Sequence, residues 1–378
     1  MAAPKSCVQC GKCLDVCPLF KATGREELTP RAKFFLETLD SSEGLREKDF
    51  KSLAELCLSC GRCAENCPQN MSGPELVSEL RSQSKGIAQI CWDFWLAQPG
   101  LIWPLACVLS KLSPEGLPEP FGSAKKRMKS LFANKHEPWA ELAVQVKFEK
   151  RKVALFKGCV GRYARPDWVK KAESLMNGMG LVRAAEPKFS CCGSSYKSAG
   201  LLERLSDSRQ KNIRAWQDAG CPLLITFCAT CLKGLKEYSL DDFSGDAQLR
   251  EKWLAALIPL SSLLLDAEVR LSDNAPEQVV YHKPCHAPVD DPDRTLIGLI
   301  AAGRLLPVQE DLCCGFGGVM QLSAPELSKQ VGMHCMDHLS KELKTGGNIL
   351  TGCSACVIQL ATIAKDEYFA AHWLDILK

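Results

Sequence analysis

Residues 7–18 read CVQCGKCLDVCP, and residues 57–68 read CLSCGRCAENCP. The two stretches share one pattern, Cys7-x-x-Cys10-x-x-Cys13-x-x-x-Cys17-Pro18 against Cys57-x-x-Cys60-x-x-Cys63-x-x-x-Cys67-Pro68, fifty residues apart. Three thiolates at this spacing wrap one corner of a four-iron cubane. The fourth, turned away by the proline that follows it, reaches the neighbouring cluster. The spacing therefore assigns one [4Fe–4S] cluster to Cys7, Cys10, Cys13 and Cys67, and a second to Cys57, Cys60, Cys63 and Cys17. Structural zinc sites are the competing reading, but they use two Cys-x-x-Cys pairs rather than a run of four. Two adjacent clusters imply one-electron transfer, because such centres hold charge without making bonds.

The rest of the composition is consistent with metal ligation. The chain has 378 residues, 46% hydrophobic and 24% charged, enough for two or three domains with real cores. A net charge of +3 is too small to argue for nucleic acid. Its 22 cysteines fall in tight clusters separated by cysteine-poor stretches, unlike a short, evenly cysteine-dense secreted scaffold. The N-terminus, MAAPKSCVQCGKC, reads as having no apolar leader, so a reducing cytoplasm is expected. Thiols there stay free to bind iron.

A larger repeat begins at Arg151. Its first copy holds Cys159, Cys191-Cys192-Gly193 and Cys228-x-x-Cys231; its second holds Cys285, Cys313-Cys314-Gly315 and Cys353-x-x-Cys356. Equivalent cysteines lie 122 to 126 residues apart, the mark of a duplication. VALFKGC (153–159), VVYHKPC (279–285), LLITFC (223–228) and NILTGC (348–353) read as buried strands, each ending on a cysteine. Amphipathic runs at 201–220 and 326–347, ending in glycine, read as helices before the later strands. Strand–helix–strand alternation predicts parallel sheets, with ligands gathered beyond the carboxyl ends of the strands. Five thiolates exceed the four that zinc or a cubane uses, and the adjacent pairs could bridge iron atoms of an irregular cluster. Zinc held by some of the five remains the alternative for either copy.

These motifs together resemble the iron–sulfur subunits of glycolate oxidase and D-lactate dehydrogenase, and more broadly the D-type heterodisulfide reductase proteins. The resemblance covers residues 5 to about 365, with only 86–150 unmatched by motif. It implies a two-[4Fe–4S] α-helical ferredoxin module followed by duplicated cysteine-rich CCG α/β domains. The expected divisions are 1–85 for the module, 86–150 for a helical linker or docking segment, and 151–275 and 276–378 for the CCG domains. It further implies one noncubane [4Fe–4S] cluster on Cys159, Cys191, Cys192, Cys228 and Cys231. Another would lie on Cys285, Cys313, Cys314, Cys353 and Cys356, with zinc an option at one of the two. The implied role is electron transfer from a separate FAD-binding dehydrogenase subunit, which oxidises a 2-hydroxy acid such as D-lactate or glycolate, to a membrane quinone or another carrier. The rival role is a catalytic subunit that reduces a disulfide at a CCG-bound cluster.

Other features carry less. No Rossmann or Walker motif appears, so no flavin or nucleotide site is expected in this chain, and no catalytic residue is assigned. Cys91, Cys107, Cys221 and Cys335 lie outside the motifs and read mostly as buried thiols. His282 and His286 flank Cys285, placed to tune or protonate the second site or to hydrogen-bond beside it. Residues 86–112 are apolar and Trp-rich, but Asp93, Pro99, Gly100 and Pro104 interrupt any membrane span of about twenty residues. Two short helices broken at Gln98-Pro99-Gly100 fit better, packed on the core, docked on a partner or lying in a membrane interface. The basic run from Lys125 to Lys129 would assist the last, so contact with the inner face of a membrane accompanies the cytoplasmic expectation.

Overall fold

The computed structural model describes residues 7–38, 52–53, 55–83, 85–114, 116–117, 121–132, 137–184, 187–309, 311–364 and 367–378. Residues 1–6, part of the segment read as lacking a leader, lie outside this set. The described residues up to Trp139 are helical or irregular; all strands follow. The doubled cysteine motif forms two matching short helices, Lys12–Val16 and Arg62–Glu65, each opened by a left-handed glycine at Gly11 or Gly61. Cys17 then caps the helix Pro18–Thr23, whose first residue is proline, as suits a position with no helical acceptor for its N–H. The helices Pro30–Thr38 and Gly73–Gln83 complete this module.

The break expected in the apolar stretch falls at Gln98, between the helices Ile87–Ala97 and Pro99–Leu112. Trp92, Leu96, Trp103 and Cys107 face the protein core, and Trp95 stacks on Trp103 at 5.4 Å. The opposite side is bare: Ile87, Ile90, Phe94, Leu101, Leu105, Val108, Leu109 and Leu112 are all exposed. The following helix, Phe121–Phe132, turns its basic residues partly inward, with Arg127 buried and donating to Gln359 Oε1 at 3.3 Å.

Among the described residues ten strands follow: β1 (Ala140–Ala143), β2 (Arg151–Phe156), β3 (Leu181–Arg183), β4 (Leu223–Thr226), β5 (Leu257–Pro259), β6 (Glu268–Leu271), β7 (Val279–Tyr281), β8 (Leu305–Leu306), β9 (Asn348–Thr351) and β10 (Phe369–His372). They make two parallel four-stranded sheets in the orders β3-β2-β4-β5 and β8-β7-β9-β10, the same topology twice. The inner strands β7 and β9 are buried throughout, as expected where helices cover both faces. The strands are shorter than the sequence suggested. β2 ends at Phe156, β4 at Thr226, β7 at Tyr281 and β9 at Thr351, each short of its cysteine, because the backbone there bends towards the next helix or turn. The helix expected over 326–347 likewise runs from Pro325 to Ser340 and gives way to turns.

β1 and β6, which the sequence reading did not anticipate, pair antiparallel, Ala140 opposite Leu271 and Ala143 opposite Glu268. Each precedes its sheet by the same interval, so the two halves meet through equivalent segments related by a local two-fold axis. Buried tryptophans fill the core, among them Trp139, Trp168, Trp216, Trp253 and Trp373. The N-terminal module shares a smaller core with the second half, where Cys17, Leu19, Leu28 and Leu58 pack with Cys313, Met320 and Val331.

Candidate metal centres

In parallel sheets whose strand order reverses beside a central strand, the carboxyl ends of the strands open into a crevice. Cys228 and Cys353 stand there as the residues that cap the helices Ala229–Lys236 and Ser354–Ile363, and Cys231 and Cys356 follow within the first turn. Cys159 lies in the first turn of the helix Gly158–Tyr163, after β2. The adjacent pairs come in on the loops after β3 and β8. The glycines behind them are constrained by crowding: Gly315 has φ +81, and a Cβ there would stand 2.4 Å from the Ser328 carbonyl oxygen. Only glycine allows the loop to approach the helix Pro325–Ser340 so closely.

The folding places each set of five thiols in a contiguous chain. Cys159, Cys191, Cys192, Cys231 and Cys228 form one series of thiol–thiol hydrogen bonds, and Cys285, Cys313, Cys314, Cys356 and Cys353 form the other. Proton sharing splits the thiols' acidity. Cys191 is pushed up to about 12 by its hydrogen bond to Cys159, and Cys192 to about 12 by its bond to Cys191, while Cys228 is drawn well down by bonds from Cys231 and Cys353. In the second set Cys313 is drawn down by Cys285 and Cys314, and Cys285 and Cys314 are pushed up in return. Several buried thiolates cannot coexist without a cation, so each set has the chemistry of a metal site. All 22 cysteines are free thiols.

The N-terminal cysteines surround two small cavities. One is lined by Cys7, Cys10, Cys13, Cys63 and Cys67; the other by Cys17, Cys57, Cys60 and Cys63. The fourth cysteine of each motif thus lies with the other motif's first three. A cubane uses four thiols, which each hollow supplies, and burial pushes Cys63 up to about 12 and Cys60 well above the ordinary range. Lys33, buried nearby, donates to the Leu28 carbonyl and adds local positive charge, although burial lowers its pKa.

The four groups form a series. Cys63 borders both N-terminal cavities. Leu58, Gly61 and Pro74 border the second of these and also a cavity of about 330 Å³ over the second five-thiol set. Arg62 bridges the same gap, its Nη2 donating to the Leu312 carbonyl at 2.7 Å while its charge acts on Cys313, Cys285 and Cys60. Across the two-fold axis, Thr230 Oγ1 meets Cys353 Sγ at 3.1 Å and Cys228 Sγ meets Ser354 Oγ at 3.4 Å. The first set opens into a separate cavity of about 380 Å³, walled by the apolar helix pair and by Lys157, Arg162 and Lys188.

Several residues here were missed at the sequence level. Thr230 sits inside a Cys-x-x-Cys and could have been singled out, but Arg62 and Lys233 carry no sequence signal, since only packing brings them to the second set. His286 Nδ1 meets Thr230 Oγ1 at 3.1 Å, and His282 is fully buried, its pKa depressed to about 4 by burial and so neutral. Of the four cysteines outside the motifs, Cys107 and Cys335 are buried as expected. Cys91 and Cys221 are exposed, a correction that follows from their places on the outer helix face and in a turn.

The likeness to known proteins spans both halves of this arrangement. A 4Fe-4S dicluster domain model matches residues 3–71, and a cysteine-rich domain (CCG) model matches 153–236 and 279–361. The chain is 24% identical to the glycolate oxidase iron-sulfur subunit of Escherichia coli (strain K12), over 99% of this chain and 93% of that one. It is 22% identical to the D-type component of the dihydromethanophenazine:CoB–CoM heterodisulfide reductase of Methanosarcina acetivorans, over 93% of this chain and 86% of that one. A probable glycolate oxidase iron-sulfur subunit of Bacillus subtilis is 22% identical over 98% and 93%.

Proposed function

We propose that this chain, built of a 4Fe–4S dicluster domain and paired cysteine-rich domains like the iron–sulfur subunits it resembles, is an electron relay in a flavin-dependent 2-hydroxy-acid dehydrogenase. A separate FAD-binding subunit removes hydride from D-lactate or glycolate. This chain accepts the electrons singly and delivers them to a quinone or another carrier. The ligand sets are those of the thiol groups described above: Cys7, Cys10, Cys13 and Cys67; Cys57, Cys60, Cys63 and Cys17; and the two sets of five. When bound, clusters there supply reversible one-electron storage.

The observation that carries the reading is the unbroken series of thiol groups. A catalytic protein needs one centre beside a substrate, whereas a relay needs centres spaced along a path. The protein's own residues serve that path. Arg62 holds positive charge between the second N-terminal set and the second five-thiol set, favouring an added electron on either side. The surrounding apolar residues exclude water, which keeps charge rearrangement small when an electron moves. Among the described residues no helix is long and apolar enough to cross a membrane, so a quinone would be met at a surface or through a further subunit.

One observation favours the second reading, disulfide reduction by this chain. The cavity over the second set is lined by Thr230 and His286, groups able to hydrogen-bond a thiol substrate, and by Lys197 and Lys233, each paired with a glutamate of the same wall. The test is anaerobic purification of the full chain, with iron and sulfide counted and D-lactate and glycolate oxidation followed with a dye. The relay predicts bound iron, no flavin and no turnover until the flavoprotein is added. Bound FAD with turnover by the chain alone would overturn it, and disulfide turnover from a reduced dye would establish the rival.

A further inference from the structure

The second five-thiol set has a sixth companion that the first lacks. His282 lies between β7 and Cys285 and is 1% exposed. One of its ring nitrogens and the sulfurs of Cys314 and Cys356 all lie within 4.8 Å of one another. Its Nδ1 is 3.7 Å from Cys335 Sγ, a weak contact at best, and its Nε2 is buried with no hydrogen-bond partner among the described residues. A buried, unpartnered imidazole nitrogen is costly, and native proteins satisfy nearly all such atoms. Here the nearby groups are soft donors already suited to metal.

The duplication supplies an internal control. The equivalent position, three residues before Cys159, is Phe156, which is 1% exposed. The fold therefore accommodates a purely apolar ring at this place, and packing alone does not call for a histidine. An imidazole lone pair, by contrast, is one of the commonest metal donors in proteins.

We propose that His282 is a nitrogen ligand of the metal centre at the second cysteine-rich site, alongside Cys314 and Cys356. The first site, with Phe156 in its place, keeps thiolate donors only. The inference rests on the reading that the second set binds metal. It makes the duplicated sites chemically unequal: a neutral nitrogen donor added at one of them sets its reduction potential apart from that of a site holding thiolates only.

The experiment uses the full-length chain, reconstituted anaerobically with iron and sulfide and labelled with ¹⁵N-histidine. Pulsed electron paramagnetic resonance of the reduced protein should show one directly bound histidine nitrogen. That coupling should vanish in His282→Cys, which retains a soft donor and hence its iron, and persist in His286→Gln. Should the second site hold zinc instead, X-ray absorption at the zinc edge should show the same nitrogen and its loss in His282→Cys. A wild-type protein whose metal carries no bound nitrogen, or only the weak coupling of a hydrogen-bonded one, overturns the proposal. So does a bound nitrogen that survives His282→Cys. The labelled wild type decides the matter even if the variant fails to fold. Iron counting keeps the two readings apart: iron at every site without bound nitrogen sinks only this inference, whereas absence of iron sinks the relay.

Discussion

Buried charge at single positions does much to define this protein. Asp375, near the C-terminus, accepts hydrogen bonds from Arg165 and from Trp168 Nε1 at 2.6 Å, and Arg165 also lies over the Trp168 ring at 4.4 Å. Burial outweighs the arginine's attraction and holds the carboxyl above its ordinary range. Removing the carboxylate leaves buried Arg165 with only its longer ion pair to the exposed Asp167 at 3.5 Å. Asp375→Ala should therefore lower stability by about 3–5 kcal/mol, read from denaturant unfolding. A change below about 1 kcal/mol would mean that water reaches Arg165. At the second five-thiol set, Cys314→Ser should strip or convert the proposed centre while both N-terminal clusters survive. A variant that kept full metal content would point to a spare thiol and thus to zinc. The raised pKa values of Cys285, Cys314, Cys353 and Cys356 give a sign for pH. These thiols are protonated at neutral pH and release protons on binding metal, so affinity should fall about tenfold per pH unit for each proton displaced as pH drops. Metal retention measured against a chelator from pH 8 to pH 6 checks it.

At the scale of elements, the helices Ile87–Ala97 and Pro99–Leu112 stand apart. Eight of the eighteen large hydrophobic side chains exposed on the described surface lie on them, with Lys111 the one exposed charged side chain between Ile87 and Leu112. An apolar face of this kind drives association of an isolated chain. Phe94→Glu combined with Leu105→Glu should reduce concentration-dependent light scattering and leave iron content unchanged, because both side chains point away from the core and from every thiol set. Loss of iron in that variant would mean that the face supports the fold directly. The loop after β8 depends instead on close backbone approach. Gly315→Ala puts a Cβ against the Ser328 carbonyl and forces a left-handed conformation, so about 1–3 kcal/mol of destabilisation is expected, with loss of metal from the second set first.

For the molecule as a whole, the N-terminal module is joined to the rest by more than its chain connection. Ser78 Oγ donates to the Lys197 carbonyl at 2.7 Å, Arg81 reaches the Ser198 carbonyl, and Lys233 pairs with Glu65 at 3.1 Å. Docking of this kind fixes the distances along an electron path and matters more than the strength of any one contact. Within the module, Cys67→Ser should damage the cluster of Cys7, Cys10 and Cys13 while leaving that of Cys57, Cys60 and Cys63 mostly intact. Spectroscopy with the opposite pattern would mean that each motif closes its own cubane.

The chemistry was legible in the chain before any fold was known. The spacing of Cys7 to Cys17 and of Cys57 to Cys67 is local, and a thiolate run of fixed reach suits one kind of centre. The 126-residue interval between Cys159 and Cys285 announced the duplicated sheets, because hydrophobic runs flanked by turn signals are local too. Which thiol groups are neighbours, by contrast, was settled by packing in three dimensions. The meeting of β1 with β6, Arg62 between two sets of thiols, and the contact of Thr230 with Cys353 join residues far apart in the chain. No periodicity records such contacts, since they arise from which buried faces can pack together. The same holds for His282: its place beside Cys285 was legible, but its unpartnered nitrogen and its nearness to Cys314 and Cys356 exist only once β7, β8 and β9 lie side by side.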